Sequence, residues 1–166
     1  MLISIKKLMQ KRDQPLHLQG VVDLSGRDFP YYTVTNPAAY TLDAEPEGNA
    51  LRLSIVLEAN ISAQCARCLD TTVQLQCIEK QYVVREEDFA EEFPELPITP
   101  EGLLDLPEML YQELLMEVPL ALLCSEDCKG LCSGCGKKRD ACSCIDALIP
   151  EPDVRWKVLH DILDEE

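Results

Sequence analysis

Eight of the nine cysteines in this chain have the spacing of metal ligands. Cys65-Ala-Arg-Cys68 forms one close pair, and Cys124, Cys128, Cys132, Cys135, Cys142 and Cys144 follow within a short stretch. Thiolate sulfur is a soft ligand suited to tetrahedral zinc, and cysteines two to four residues apart give a chelating bite. Gly130, Gly134 and Gly136 lie between the ligands, where tight knuckles call for positive backbone angles. Eight thiolates fit two sites, so one or two zinc ions per chain are expected. The favoured partition gives one site to Cys132, Cys135, Cys142 and Cys144. The other then joins Cys65 and Cys68 to Cys124 and Cys128. In an alternative partition both Cys-x-x-Cys pairs share one zinc, leaving Cys124, Cys128, Cys142 and Cys144 elsewhere. Four thiolates complete the ion's shell without water, which is the pattern of a closed structural site. Arg67, Lys129, Lys137, Lys138 and Arg139 stand beside the ligands and can offset the excess negative charge. Thiolate spacing also admits iron–sulfur ligation. Cys77 stands apart and reads as a buried strand residue.

No other chemistry is written as plainly. The chain has no glycine-rich phosphate loop, no zinc-protease helix and no Gly-x-Ser-x-Gly elbow. His17 and His160 are the only histidines, and neither lies near the cysteines. The carboxylates of 86–95 are too dense in a loop to read as acid–base catalysts and suggest a solvated run. A non-enzymatic protein is expected.

Charge is unevenly distributed. The net charge is −15 over 166 residues, yet acids and bases balance up to residue 85. Residues 86–127 carry 13 acidic groups and no basic one. Such a field attracts basic partners and repels phosphates. Direct RNA binding would rest on Lys129, Lys137, Lys138, Arg139 and Trp156, a small patch for the task. No stretch approaches the roughly 18 apolar residues of a membrane span, and the N-terminus lacks the apolar core of a signal peptide. A cytoplasmic protein with reduced thiols is therefore expected.

The elements that must hold the cysteines follow from periodicity. Residues 2–24 read as two strands, with Gly20 a candidate bulge or weak point. Residues 25–37 are turn-rich, and 38–45 suit a further strand. Pro46-Glu47-Gly48-Asn49 makes a turn into a long alternating run, with Leu51, Leu53, Ile55, Leu57, Ala59 and Ile61 on one face. Val73, Leu75 and Cys77 continue the alternation in a second strand, which places the Cys65–Cys68 knuckle at a hairpin tip. Residues 86–104 read as an acidic loop. Asp105 caps a helix over 105–118, with Glu108 as its capping-box partner and Leu106, Met109, Leu110, Leu114 and Val118 as its apolar face. A last helix is expected from near Asp153, with Val154, Val158, Leu159 and Ile162 on one side. The fold expected is α+β: an antiparallel sheet, open or curled toward a barrel, with one or two helices and a cysteine-rich zinc lobe. The division is a β-rich part over 1–123, the zinc lobe over 124–150 and a C-terminal helix over 151–166.

These motifs together resemble the YceD family of bacterial and plastid proteins, named for large ribosomal RNA subunit accumulation. The resemblance is carried by Cys65-Ala-Arg-Cys68-Leu69 after a long strand, the acidic helix running into Val118-Pro119-Leu120, Leu123-Cys124, Asp127-Cys128-Lys129-Gly130-Leu131-Cys132, Cys135-Gly136 and Cys142-Ser-Cys144. It spans residues 51–160. The chain departs from the usual pattern at Ser133, at Arg139-Asp140 and at Asp153-Val154-Arg155-Trp156. The resemblance implies support of the synthesis or processing of large-subunit (23S) ribosomal RNA. With the charge distribution, it points to a basic partner such as a ribosomal protein or an RNA-processing factor. Direct RNA binding by the zinc lobe and thiol-based redox sensing are the alternatives.

Overall fold

In the computed structural model, which describes residues 1–10, 14–90 and 95–144, one long hairpin organises the chain. Its strands are β5, Ala50–Gln64, and β6, Thr71–Arg85, in unbroken antiparallel register from Ala50↔Arg85 to Gln64↔Thr71. The alternation along β5 is the cause: Leu51, Leu53, Ile55, Leu57, Ala59 and Ile61 are all buried, and the residues between them face outward. Ahead of the hairpin come β1 (Leu2–Ser4), the short helix α1 (Ile5–Gln10), β2 (Leu16–Val22), β3 (Tyr32–Val34) and β4 (Ala38–Glu47). After it come a 3-10 turn (Glu86–Ala90), β7 (Leu103–Asp105), α2 (Leu106–Glu117) and a second 3-10 turn (Arg139–Ala141).

The main sheet runs β2-β4-β5, with β3 beside the far end of β5 and β6 on its other side. It is antiparallel and open; no pairing joins β6 to β2, so the curl does not close into a barrel. The hairpin from β4 to β5 turns at Gly48, whose φ of 65° suits a tight two-residue connection. A separate two-stranded sheet pairs β1 with β7.

Helix α2 begins as its sequence predicts. The Asp105 carboxylate accepts the Glu108 N–H at 3.4 Å, and Leu106, Met109, Leu110 and Leu114 are buried. Glu108 does not complete the capping box: its carboxylate pairs with Arg27 at 2.9 Å. The turn-rich segment before β3 clamps the helix further. Phe29 stacks on Tyr32 and tilts against Tyr111, and the Tyr32 hydroxyl donates to the Leu114 carbonyl at 2.7 Å. One apolar cluster joins the inner sheet face, α2, Ile5 and Leu24.

Four local expectations are corrected. Residues 2–24 hold a helical turn between the two strands, because Ile5 is fully buried against the core while Lys6 and Lys7 face solvent. Gly20 is not a bulge; it pairs in register with Tyr40, and a Cβ there would lie 3.0 Å from the Tyr40 hydroxyl and 3.2 Å from its ring. Among the described residues of 86–104, Glu86–Ala90 form a 3-10 turn and Leu103 and Leu104 enter β7, because Leu104 is fully buried and pairs with Ile3. Strand β6 keeps the expected period but turns the opposite face to the core. Val73, Leu75 and Cys77 are exposed, because they pair with Ser62, Asn60 and Glu58 on the outer face, while Ile78 and Val84 are buried. The expected C-terminal helix over 151–166 lies outside the described residues, as does the end of the expected lobe from 145.

Candidate metal centre

The long hairpin carries Cys65 and Cys68 to its tip, and the chain leaving α2 passes that tip with Cys124 and Cys128. The Ala66 N–H donates to the Leu122 carbonyl at 2.8 Å, tying the two segments together. Arg67 reaches back and donates to the carbonyls of Glu126 at 3.2 Å and Cys128 at 2.9 Å. Gln74 donates to the Leu123 carbonyl from β6. The four sulfurs of Cys65, Cys68, Cys124 and Cys128 thereby lie within 4.8 Å of one another. Cys65, Cys68 and Cys128 are buried, and Cys124 is exposed.

The sulfurs of Cys132, Cys135, Cys142 and Cys144 form a second group within the same limit. All four are at least partly exposed. This group leans on the first. Lys138 pairs with Asp70 beside the first knuckle, Lys129 pairs with Asp140 at 3.1 Å, and Gly130 packs against the Arg67 carbonyl. The two groups are those that the spacing favoured. The alternative partition, with both Cys-x-x-Cys pairs in one site, is not the arrangement found.

The two knuckles share one backbone design. The Cys65 N–H donates to the Asp70 carbonyl at 2.8 Å, and the Leu69 N–H to the Cys65 carbonyl at 2.9 Å. In the second, the Cys132 N–H donates to the Lys137 carbonyl at 2.7 Å, and the Gly136 N–H to the Cys132 carbonyl at 2.8 Å. The residue after the second cysteine turns left-handed in both, with φ of 62° at Leu69 and 69° at Gly136.

The design also sets the acidity of the thiols. The N–H groups of Cys124 and Cys68 point at the Cys65 sulfur and bring its pKa down to about 6. The N–H groups of Cys135 and Gly134 do the same for Cys132, again to about 6. The neighbours respond oppositely. The sulfurs of Cys128 and Cys68 push Cys124 up to about 12, and those of Cys142 and Cys135 push Cys144 up to about 12. One thiol in each group ionises readily, and its charge discourages the next. A cation among the sulfurs removes that resistance.

The distances fit such a cation. Four sulfurs about 2.3 Å from one tetrahedral centre lie about 3.8 Å from each other. Cys65 and Cys128 are 3.8 Å apart, Cys68 and Cys124 3.6 Å, and Cys135 and Cys142 3.3 Å. A multi-iron cluster spreads its thiolates over several metals and needs a wider cage. Both groups could hold a single ion. His17 takes no part: it lies on β2 with its Nδ1 2.5 Å from Asp43, on the exposed face. Tyr82 and Lys80, which sequence reasoning passed over, meet the acidic face of α2. The Tyr82 hydroxyl donates to Glu113, and Lys80 pairs with Glu117 at 2.5 Å.

Fold and site together define a cysteine-rich α+β protein with two four-thiol groups linked through one hairpin tip. The chain belongs to the family described as large ribosomal RNA subunit accumulation protein YceD, whose model matches residues 53–163. Neither the curated proteins nor the solved structures gave a match. Among the described residues, no helix is long and apolar enough to cross a membrane.

Proposed function

We propose that this protein is a non-enzymatic zinc factor that supports accumulation of large-subunit ribosomal RNA by binding a basic protein. The family's description supports the ribosomal part. The observation that carries the binding part is the charge of α2 and its flanks. Residues 86–127 hold 13 acidic groups and no basic one. Glu108 and Glu117 are matched by Arg27 and Lys80, and Glu86 loosely by Lys6 at 3.7 Å. The surplus gives this segment an attractive field for a basic ribosomal protein or RNA-processing factor.

Zinc is the metal that suits four thiolates around one centre with no position left open. Its role is to fix the hairpin tip against the end of α2 and to seat the second knuckle on the first. No step of catalysis is assigned to it. Direct RNA binding finds less support, because Lys129 and Lys138 of the small basic cluster are already matched by Asp140 and Asp70.

The test is the ratio of large- to small-subunit ribosomal RNA in depleted cells, with add-back of wild type or Cys132→Ser. A fall in the ratio that wild type restores is the expected result. An unchanged ratio overturns the ribosomal assignment. Restoration by Cys132→Ser as well would make the second zinc dispensable for the role.

A further inference from the structure

Leu69 occupies a position that suits glycine. The matching position in the other knuckle is Gly136, with nearly the same φ. Leu69 is the one non-glycine residue with a positive φ among the described residues. A left-handed backbone at such a side chain is unfavourable, because Cβ crowds the carbonyl that follows. Burial does not compensate, since Leu69 is 59% exposed. Glycine would make the same knuckle without strain. A strained backbone that presents an apolar side chain to solvent is a reason to look for a contact outside the chain.

Leu69 lines a groove of about 670 Å³ beside the first cysteine group. One wall is the segment before β3, with Pro30 and Tyr31; the other is the chain leaving α2, with Leu120 and Leu122. Tyr31 is 62% exposed and Leu120 is 78% exposed. No charged side chain lines the groove. The segments that form its walls do carry charge, and it is acidic: Asp28 precedes Phe29, and Glu126 and Asp127 follow Leu122, all three exposed. The nearby bases are engaged, Arg27 beside Asp28 with Glu108, Arg67 with two carbonyls and Lys138 with Asp70.

We infer that this groove takes an apolar side chain from a segment of a basic protein, with Leu69 as its contact residue and the flanking carboxylates matching the segment's charge. The inference rests on the basic-partner reading above and adds where that partner docks. A second copy of this chain, itself at −15, matches the charge poorly.

The test uses the full chain purified without chelator and three short fluorescein-labelled peptides: alternating lysine and leucine, alternating lysine and serine, and alternating leucine and serine. Anisotropy gives affinity and thermal melting gives stability. The lysine–leucine peptide should bind wild type tightest. Leu69→Gly should weaken it about ten-fold, as expected for losing much of one buried leucine contact. The same variant should leave the lysine–serine peptide unchanged and raise the melting temperature by about 2–4 °C. Leu69→Asn, which tolerates the left-handed backbone, should lose the same affinity without unfolding.

Equal lysine–leucine binding by wild type and both variants overturns the groove while leaving the basic-partner reading intact. If leucine–serine binds as well as lysine–leucine in a Leu69-dependent way, the basic occupant is wrong and the charge reading loses its support. A mass that falls from dimer to monomer in Leu69→Gly assigns the groove to a second copy. A shift of Trp156 emission in that variant without peptide assigns it to the chain's own C-terminal segment. Either result overturns the proposed occupant.

Discussion

The sulfurs of Cys65 and Cys128 lie 3.8 Å apart although 63 residues separate them in the chain. One belongs to the tip of the β5–β6 hairpin and the other to the chain beyond α2. An ion held between them ties the sheet to the helix, so its removal acts on the fold as well as on the site. Wild type should carry two zinc ions per chain by elemental analysis, and Cys65→Ser one. The same substitution should lower the melting temperature by about 10 °C or more, since structural zinc contributes several kcal/mol and each is worth about 2–4 °C at this size.

The second group should behave differently. Its thiols are at least partly exposed and join no buried cluster, whereas Cys65, Cys68 and Cys128 form one with Leu123 packed against it. Cys135→Ser should also lose one zinc, yet leave the melting temperature of the sheet and α2 within about 3 °C, because no buried core contact goes with it. A competing chelator should strip this ion before the first.

Gly130 links the two groups. Its φ is 73°, and a Cβ there would sit 3.0 Å from the Arg67 carbonyl oxygen. Gly130→Ala should cost about 1–2 kcal/mol in denaturant unfolding, from left-handed strain and that close approach. It should also speed loss of the second zinc, measured by release to a chromogenic chelator.

Cys77 is exposed on the outer face of β6 and stands outside both groups. In native, zinc-loaded protein a thiol reagent should therefore modify one cysteine of nine quickly. Mass mapping should place the label on Cys77, and Cys77→Ser should abolish the fast phase without changing stability. Rapid labelling of more than one cysteine would mean that the tetrads do not hold zinc.

Tyr32 gives a pH dependence with a defined sign. Burial, then the neighbouring Tyr111, raises its phenol from 10.0 to about 12. Below pH 10 the group is protonated folded or unfolded, and its contribution is fully present. Between pH 10 and about 12 only the unfolded chain ionises, so stability falls as pH rises. Urea midpoints measured across that range should decline, and Tyr32→Phe should lessen the decline, the remainder coming from Tyr82, whose phenol pKa is also raised by burial and by Glu113. The variant should also lose about 1 kcal/mol at neutral pH with the hydrogen bond to Leu114.

Local rules reached far into this fold. The alternation from Leu51 to Ile61 made β5 readable, since burying one face of a strand selects every second residue. Asp105 marked the start of α2 because a carboxylate there satisfies a free N–H. The spacing of Cys132 and Cys135, with Gly136 behind them, identified a knuckle because two sulfurs and a left-handed turn must come from a few adjacent residues. Such features depend on neighbours in the chain.

Features that depend on distant partners were not readable in the same way. Val73, Leu75 and Cys77 alternate as an inner face would, but pairing with Ser62, Asn60 and Glu58 turned them outward. Ile5 became helical because the core lay beside it, and Glu108 left its capping box because Arg27 was within reach. The left-handed backbone at Leu69 could not be seen in a residue type that avoids it. The sequence by itself determined the main strands, the amphipathic helix and the supply of thiols, because periodicity and chelate spacing are local. The tertiary structure decided which strand face meets the core and which cysteines share a site. Both depend on register and on contacts across some sixty residues, which no short window of sequence contains.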